Sequence, residues 1–308
     1  MKTKTVAVID VGTLKSKFEI REFDKDYKSK TIYKDKVLTV LGRDLDKNDN
    51  MIVEKAIVKT IDALNSFCTI MKEKHVDKYR AVTTEAIRKA KNSEEVLKRI
   101  TQETGITLEE ISQEEEAKIF FRSLSNDFPN ETIASADIGG GSVQVVIGNG
   151  DQIFEIHNFK TGVYFLQENF STTHHPTLME LENAKAYIKK ELASLGQTKF
   201  KPTKLVYGST NIIDFMQAMN LPLEELRKGS AHPYEVSLTD LFTLYEKIIQ
   251  LSYEDRMPMF PEEPYYMWGA DKALMNIFQI SDYLSIKSVV PSNNNLSTGI
   301  LLELAKSI

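Results

Sequence analysis

Residues 5–20, TVAVIDVGTLKSKFEI, lie without a gap over residues 132–147, TIASADIGGGSVQVVI. Thr5 falls on Thr132, Ala7 on Ala134, Asp10 on Asp137, Gly12 on Gly139 and Ile20 on Ile147. Each copy reads as an apolar strand, an Asp-x-Gly turn and a second apolar strand. Glycine reaches backbone conformations closed to other residues, so a glycine-rich turn can aim successive N–H groups at one anion. One such turn alone reads equally well as a tight β-hairpin. Two copies in matching strand contexts predict a pair of anion-holding turns that face each other across a cleft, with a phosphate chain between them.

In the first copy the candidate phosphate contacts are Gly12, Thr13 and Lys15; in the second they are Gly139, Gly140, Gly141 and the hydroxyl of Ser142. An aspartate beside a phosphate repels it unless a cation lies between them. Asp10 and Asp137 therefore imply a bound Mg²⁺, which takes carboxylates together with phosphate and water oxygens.

A chain of 308 residues has room for two domains. At 42% hydrophobic and 27% charged it has the composition of a globular protein with substantial cores. No apolar run has the length of a membrane span, and MKTKTVAVID leads straight into a strand, so a cytoplasmic protein without a membrane partner is expected. Cys68 is the single cysteine, at helical spacing with Ile61, Leu64 and Met71, and reads as core. The formal net charge of −5 argues against nucleic acid as a partner. A long polyanionic substrate would need a local basic track instead. Arg88, Lys89 and Lys91 offer one, and Lys185, Lys189 and Lys190 a second, although a solvated helix face explains the latter group as well.

Strands are expected near 4–10, 15–23 and 31–40, a long amphipathic helix over 52–75, a strand near 79–82, helices near 83–91 and 93–104, and a helix from Gln113. Gly105 reads as a helix C-cap. The pattern then restarts with strands near 132–138, 143–148 and 152–159, followed by alternating helices and the strand KLVYG. Strands alternating with helices in two similar halves predict an α/β protein. The turn-rich stretch Asp127-Phe128-Pro129-Asn130 sets the expected division at residues 1–127 and 128–308, with the last helix, about 295–308, free to pack back on the first lobe.

Paired Asp-x-Gly turns resemble those of the superfamily of actin, hexokinase and the heat-shock chaperone ATPases, whose two stacked ribonuclease-H-like lobes clamp phosphates in an interlobe cleft. Four further segments narrow the resemblance. VTTEAIRKAKN (82–92), ISQEEEAKIFF (111–121), SADIGGGSVQ (135–144) and LVYGST (205–210) are similar, in order, to segments of the exopolyphosphatase and guanosine-pentaphosphate phosphatase family. The resemblance covers nearly the whole chain. It implies Mg²⁺-dependent hydrolysis of a terminal phosphoanhydride bond in inorganic polyphosphate or guanosine pentaphosphate.

Matched position by position, Glu116 takes the place of the family's catalytic glutamate, orienting or deprotonating the attacking water, and Arg88 that of the arginine holding a phosphate. Gly208 and Ser209 match its later glycine-rich turn, and Gln144 stands where the family has a glutamate near the metal. The residue types suit these roles: a carboxylate within reach of water serves as general base, and a guanidinium is a planar, always-charged fork for phosphate oxygens.

The chain departs from the family pattern at three places. Leu14 replaces a polar asparagine in the first turn, Val143-Gln144 replaces Thr-Glu in the second, and Ser297-Thr298 stand for Arg-Glu near the end. These changes leave open a non-catalytic binder of polyphosphate or alarmone, and the shared core leaves open a small-molecule kinase. His174-His175-Pro176 reads as a loop rather than a metal site. Tyr265-Tyr266-Trp268 reads as inter-helix packing or the surface of a homodimer.

Overall fold

The computed structural model describes residues 3–308 except 26, 44, 171–174 and 229; the side chains of Asp46 and Tyr265 are also outside the description. His174 thus lies outside the described residues, as does the Tyr265 side chain. The elements run β1 Lys4–Val11, β2 Ser16–Phe23, β3 Ser29–Val37, α1 Glu54–Glu73, β4 Lys78–Thr83, α2 Glu85–Lys89, α3 Ser93–Thr104, β5 Glu109–Glu110 and α4 Gln113–Ser125. They continue with β6 Thr132–Ile138, β7 Val143–Asn149, β8 Gln152–Phe159, α5 Val163–Phe170, α6 Leu178–Glu191, β9 Lys204–Gly208, α7 Ile212–Ala218, β10 Glu224–Glu225 and β11 Tyr234–Ser237. The chain closes with α8 Leu238–Ile249, α9 Tyr253–Arg256, α10 Pro264–Leu284, β12 Ser288–Ser292 and α11 Leu296–Lys306.

Two compact units result, one of residues 1–119 and 296–308 and the other of 120–295. The division therefore falls within α4 rather than at 127, and α11 belongs to the first unit. Packing explains both differences. Phe120 and Phe121 fill the space that side chains at Gly208 and Gly148 would need on the second sheet. Leu296, Ile300, Leu301 and Leu304 of α11 share a core with Val6, Val8 and Val82.

The sequence repeat is a repeat of topology. The first sheet has the order β3-β2-β1-β4-β5, and the second contains β8-β7-β6-β9-β12 in the same sense. In both, two antiparallel hairpin pairs are followed by parallel strands. Even the irregularities repeat: β2 shifts register after Ile20 and β7 after Ile147, residues that coincide in the overlay.

Side chains alternate across a strand, and β1 shows it. Ala7, Ile9 and Val11 face a core built with α1 and α3, while Val6 and Val8 face α11. Phe18 of β2 stacks on Phe67 of α1 at 4.6 Å, fixing which face of β2 is covered by that helix. Gly105 ends α3 in the left-handed conformation, φ 71°, as its sequence context predicts. The strand expected over 31–40 is Ser29–Val37, and the short β10 and β11 carry too few residues for an alternating pattern to show.

Candidate active site

The two turns are closed by the same hydrogen bond. Gly12 N donates to Lys15 O at 3.0 Å, and Gly139 N donates to Ser142 O at 3.0 Å. A Cβ at Gly12 would sit 3.3 Å from Lys15 O, and one at Gly139 3.2 Å from Ser142 O. Neither glycine, nor Gly140, has positive φ. The turns thus use glycine for the missing Cβ rather than for the left-handed backbone expected from sequence.

Carbonyl engagement sets the direction of the amides, because in a planar trans peptide the C=O and the following N–H point opposite ways. Val163 N donates to Gly139 O, and the amides of Tyr164 and Phe165 donate to Gly140 O. The N–H groups of Gly140 and Gly141 consequently point away from α5. In the first turn, Gly42 N donates to Thr13 O and Val40 N to Leu14 O, which directs the N–H groups of Leu14 and Lys15 away from the 40–42 segment. Each turn so presents two successive amides on one side, the arrangement that binds anions.

Two glycines that sequence reasoning passed over make this possible. A Cβ on Gly162 would lie 2.4 Å from Gly140 O, and one on Gly42 would lie 2.7 Å from Thr13 Cγ2. Gly208 is also a packing position, since its Cβ would meet the Phe120 ring at 2.4 Å. Ser209 N donates to Ser292 O at 3.0 Å, and its side chain hydrogen-bonds the buried phenols of Tyr207 and Tyr266, so the structure engages Ser209 within the fold.

Asp10 is buried, opposite Lys17 in the β1–β2 register, and Lys17 Nζ lies 3.4 Å from its carboxylate. In the overlay Lys17 falls on Gln144, and Gln144 stands opposite Asp137 on β6–β7. That coincidence was the available signal for Lys17. Gln144 is buried and its Oε1 has no hydrogen-bond partner. Asp137 with this oxygen forms a donor set that fits a Mg²⁺ completing its shell with phosphate and water oxygens. Among the described residues there is no group of three or more His, Cys, Asp or Glu placed to hold a metal.

Helix α4 sorts the three adjacent glutamates. Ser112 Oγ accepts from Glu115 N, capping the helix. Glu114 pairs with Lys118, Glu115 with Arg80 at 2.7 Å, and Glu116 with Arg88 Nη2 at 3.4 Å. Arg88 Nη1 also donates to Ile111 O at 2.7 Å, which holds the guanidinium beside Glu116. Leu14 is exposed, whereas Ser297 and Thr298 are buried in the first turn of α11. Tyr266 stacks on Phe215 at 4.9 Å, and Trp268 lies 5.7 Å from Tyr164, so both act as inter-helix packing.

Comparison with known proteins assigns the chain: the profile of the Ppx/GppA phosphatase family matches residues 23–307, which include the second turn. The chain belongs to that family. The bifunctional 3-dehydroquinate synthase/phosphatase of Fusobacterium nucleatum is 26% identical over 313 residues, 96% of this chain but 46% of its own length. This chain thus spans about half of that relative. Exopolyphosphatase 2 of Mycobacterium tuberculosis is 22% identical over 97% of this chain and 98% of its own. Among solved structures, the Aquifex aeolicus Ppx/GppA family member superposes with a TM-score of 0.86 at 24% identity, covering 99% of both chains. An exopolyphosphatase from Cytophaga hutchinsonii does so at 0.84 and 24%, again over 99% of both. These structures share the two-lobe α/β fold. Among the described residues no helix is long and apolar enough to cross a membrane.

Proposed function

We propose that this Ppx/GppA family member hydrolyses the terminal phosphoanhydride bond of inorganic polyphosphate or of a guanosine pentaphosphate, with Mg²⁺. The observation that carries the reading is the pair of turns closed by the same Gly N–H to carbonyl bond, each with two successive amides directed to one side by the engagement of the carbonyls before them. Their N–H groups, with Thr13 and Ser142, grip phosphate oxygens. Glu116 orients the attacking water and accepts its proton, and Arg88, whose guanidinium lies beside that carboxylate, holds a phosphate. On the second turn, Asp137 and Gln144 are the residues that would hold Mg²⁺; on the first turn, Asp10 is the candidate metal carboxylate. The ion supplies charge neutralisation for the phosphate chain.

Purified protein with Mg²⁺ should release orthophosphate from polyphosphate or from the pentaphosphate nucleotide, assayed side by side with no acceptor added. Release from neither would contradict hydrolysis and favour the second reading, a binder without turnover. The Lys17 ammonium beside Asp10 supports that reading, because it places a fixed cation where a metal would otherwise compensate the carboxylate.

A further inference from the structure

Among the described residues of the second unit, the buried charged side chains besides His232 are Glu235, Arg256, Asp271 and Lys272. Glu235 is matched by Lys204 at 2.6 Å and Arg227 at 2.7 Å, two partly exposed cations. The other three form one cluster, Arg256 from α9 with Asp271 and Lys272 from α10. Lys272 Nζ lies 2.7 Å and Arg256 Nη1 3.4 Å from the same oxygen, Asp271 Oδ2, and all three side chains are fully buried. Two cations share one carboxylate, so the cluster carries one positive charge in excess. The nearby carboxylates stand in solvent: Glu254 and Asp255 are exposed, Asp255 accepting from Ser252 Oγ, and exposed Glu182 pairs with Lys185.

Hydrogen bonding leaves the same surplus. Asp271 Oδ1 accepts from the Lys272 amide at 3.0 Å, and Oδ2 from Lys272 Nζ. Arg256 Nε donates to Leu251 O at 3.2 Å, and the guanidinium lies 4.7 Å over the Tyr253 ring, which attracts it but carries no net charge. Its terminal nitrogens, Nη1 and Nη2, are buried without a hydrogen-bond partner, and a guanidinium can only donate. The hydroxyls of Tyr245 and Tyr253 are also buried without a partner. Burial, Asp271 and Glu182 raise the Tyr245 phenol above its ordinary value and Arg256 lowers it, so this hydroxyl keeps its proton within the field of the cluster. An unbalanced charge in a core costs more than a missing hydrogen bond. Water would accept from the guanidinium but add no charge, whereas an anion does both. One excess charge calls for a monovalent ion, and full burial for a monatomic one.

We propose that the Arg256–Asp271–Lys272 cluster binds one chloride ion in the core of the second unit. Arg256 Nη1 and Nη2 hold it, Lys272 adds its charge, and the Tyr245 and Tyr253 hydroxyls serve as neutral donors. Binding here does not depend on whether the two turns hydrolyse phosphoanhydrides.

The test follows melting of the whole protein as sodium gluconate is replaced by sodium chloride or bromide at constant ionic strength. An ion bound only by the folded state stabilises it by mass action. The parent should melt about 3–6 °C higher once chloride stands about tenfold above its dissociation constant, and bromide should act alike. Arg256→Met leaves Asp271 and Lys272 as a neutral pair, and Lys272→Met leaves Asp271 and Arg256 as another. Either variant should lose the halide response. Crystals of the parent grown in bromide should show an anomalous peak in contact with Arg256 Nη1 or Nη2, and this measurement alone decides if neither variant folds. A halide response no larger in the parent than in the variants, or bromide crystals without that peak, would overturn the site. Formate or orthophosphate stabilising the parent through Arg256 as well as chloride does would overturn the assignment to a halide.

Discussion

Asp127, His232 and Ser292 meet although more than a hundred residues separate the first from the second, and replacing Asp127 isolates one electrostatic contribution. His232 Nδ1 lies 2.8 Å from Asp127 Oδ2, and Nε2 lies 2.7 Å from Ser292 Oγ. The backbone N–H of His232 donates to the same carboxylate oxygen at 2.9 Å, and Ser230 Oγ donates to it at 2.7 Å. The carboxylate accepts only, so Nδ1 carries the proton and, in the neutral ring, Ser292 donates to Nε2. The His232 hydrogen bond lowers the Asp127 carboxyl from 3.8 to about 2.

A carboxyl depressed in the folded state adds stability that is complete above its unfolded value, near pH 4, and disappears as pH falls through about 2. The shift corresponds to about 2 kcal/mol. Asp127→Asn can keep an acceptor toward all three donors while losing the charge. At pH 7 the variant should melt about 4–8 °C lower for a unit of this size. Melting followed by near-UV circular dichroism from pH 7 to pH 2 should show that gap shrinking below pH 4 and closing by about pH 2. A gap that persists at pH 2, or none at pH 7, would refute the argument that ionisation at Asp127 is what the three donors stabilise.

Gly162→Ala should weaken binding of tripolyphosphate sharply in a protein that still folds, because its Cβ would press on Gly140 O at 2.4 Å and displace the turn; calorimetric titration checks this. Gln144→Glu should tighten Mg²⁺ binding and raise phosphate release at limiting metal more than at saturation, and an unchanged Mg²⁺ dependence would mean that this side chain does not face the ion. Asp271, fully buried between Lys272 Nζ at 2.7 Å and Arg256 Nη1 at 3.4 Å, compensates two buried cations. Its replacement by Asn should cost about 3–5 kcal/mol, read as a drop in the urea midpoint.

The sequence carried the repeat because both turns need the same local chemistry, and local chemistry is written in adjacent residues. Asp10, Gly12, Asp137 and Gly139 were legible for that reason, and so was the cap at Gly105. The features that brace the turns were not. Gly42 and Gly162 reach Thr13 and Gly140 from other elements, and nothing beside them in the chain announces the contact. Lys17 was visible only by asking what the overlay put opposite Asp10. The Asp127–His232–Ser292 relay joins three segments by tertiary contact, beyond the reach of any local pattern. The division within α4 was hidden for a related reason: one continuous helical periodicity contributes Ile119 to one core and places Phe120 against the second sheet.

The central claim is that Glu116 activates water for attack on a phosphoanhydride. Its most direct measurement is orthophosphate release by Glu116→Gln at saturating Mg²⁺ and substrate, with melting temperature recorded on the same sample. The account predicts a loss of about 10²–10⁴-fold in kcat with the melting temperature nearly unchanged. Parental turnover by the folded variant would contradict it.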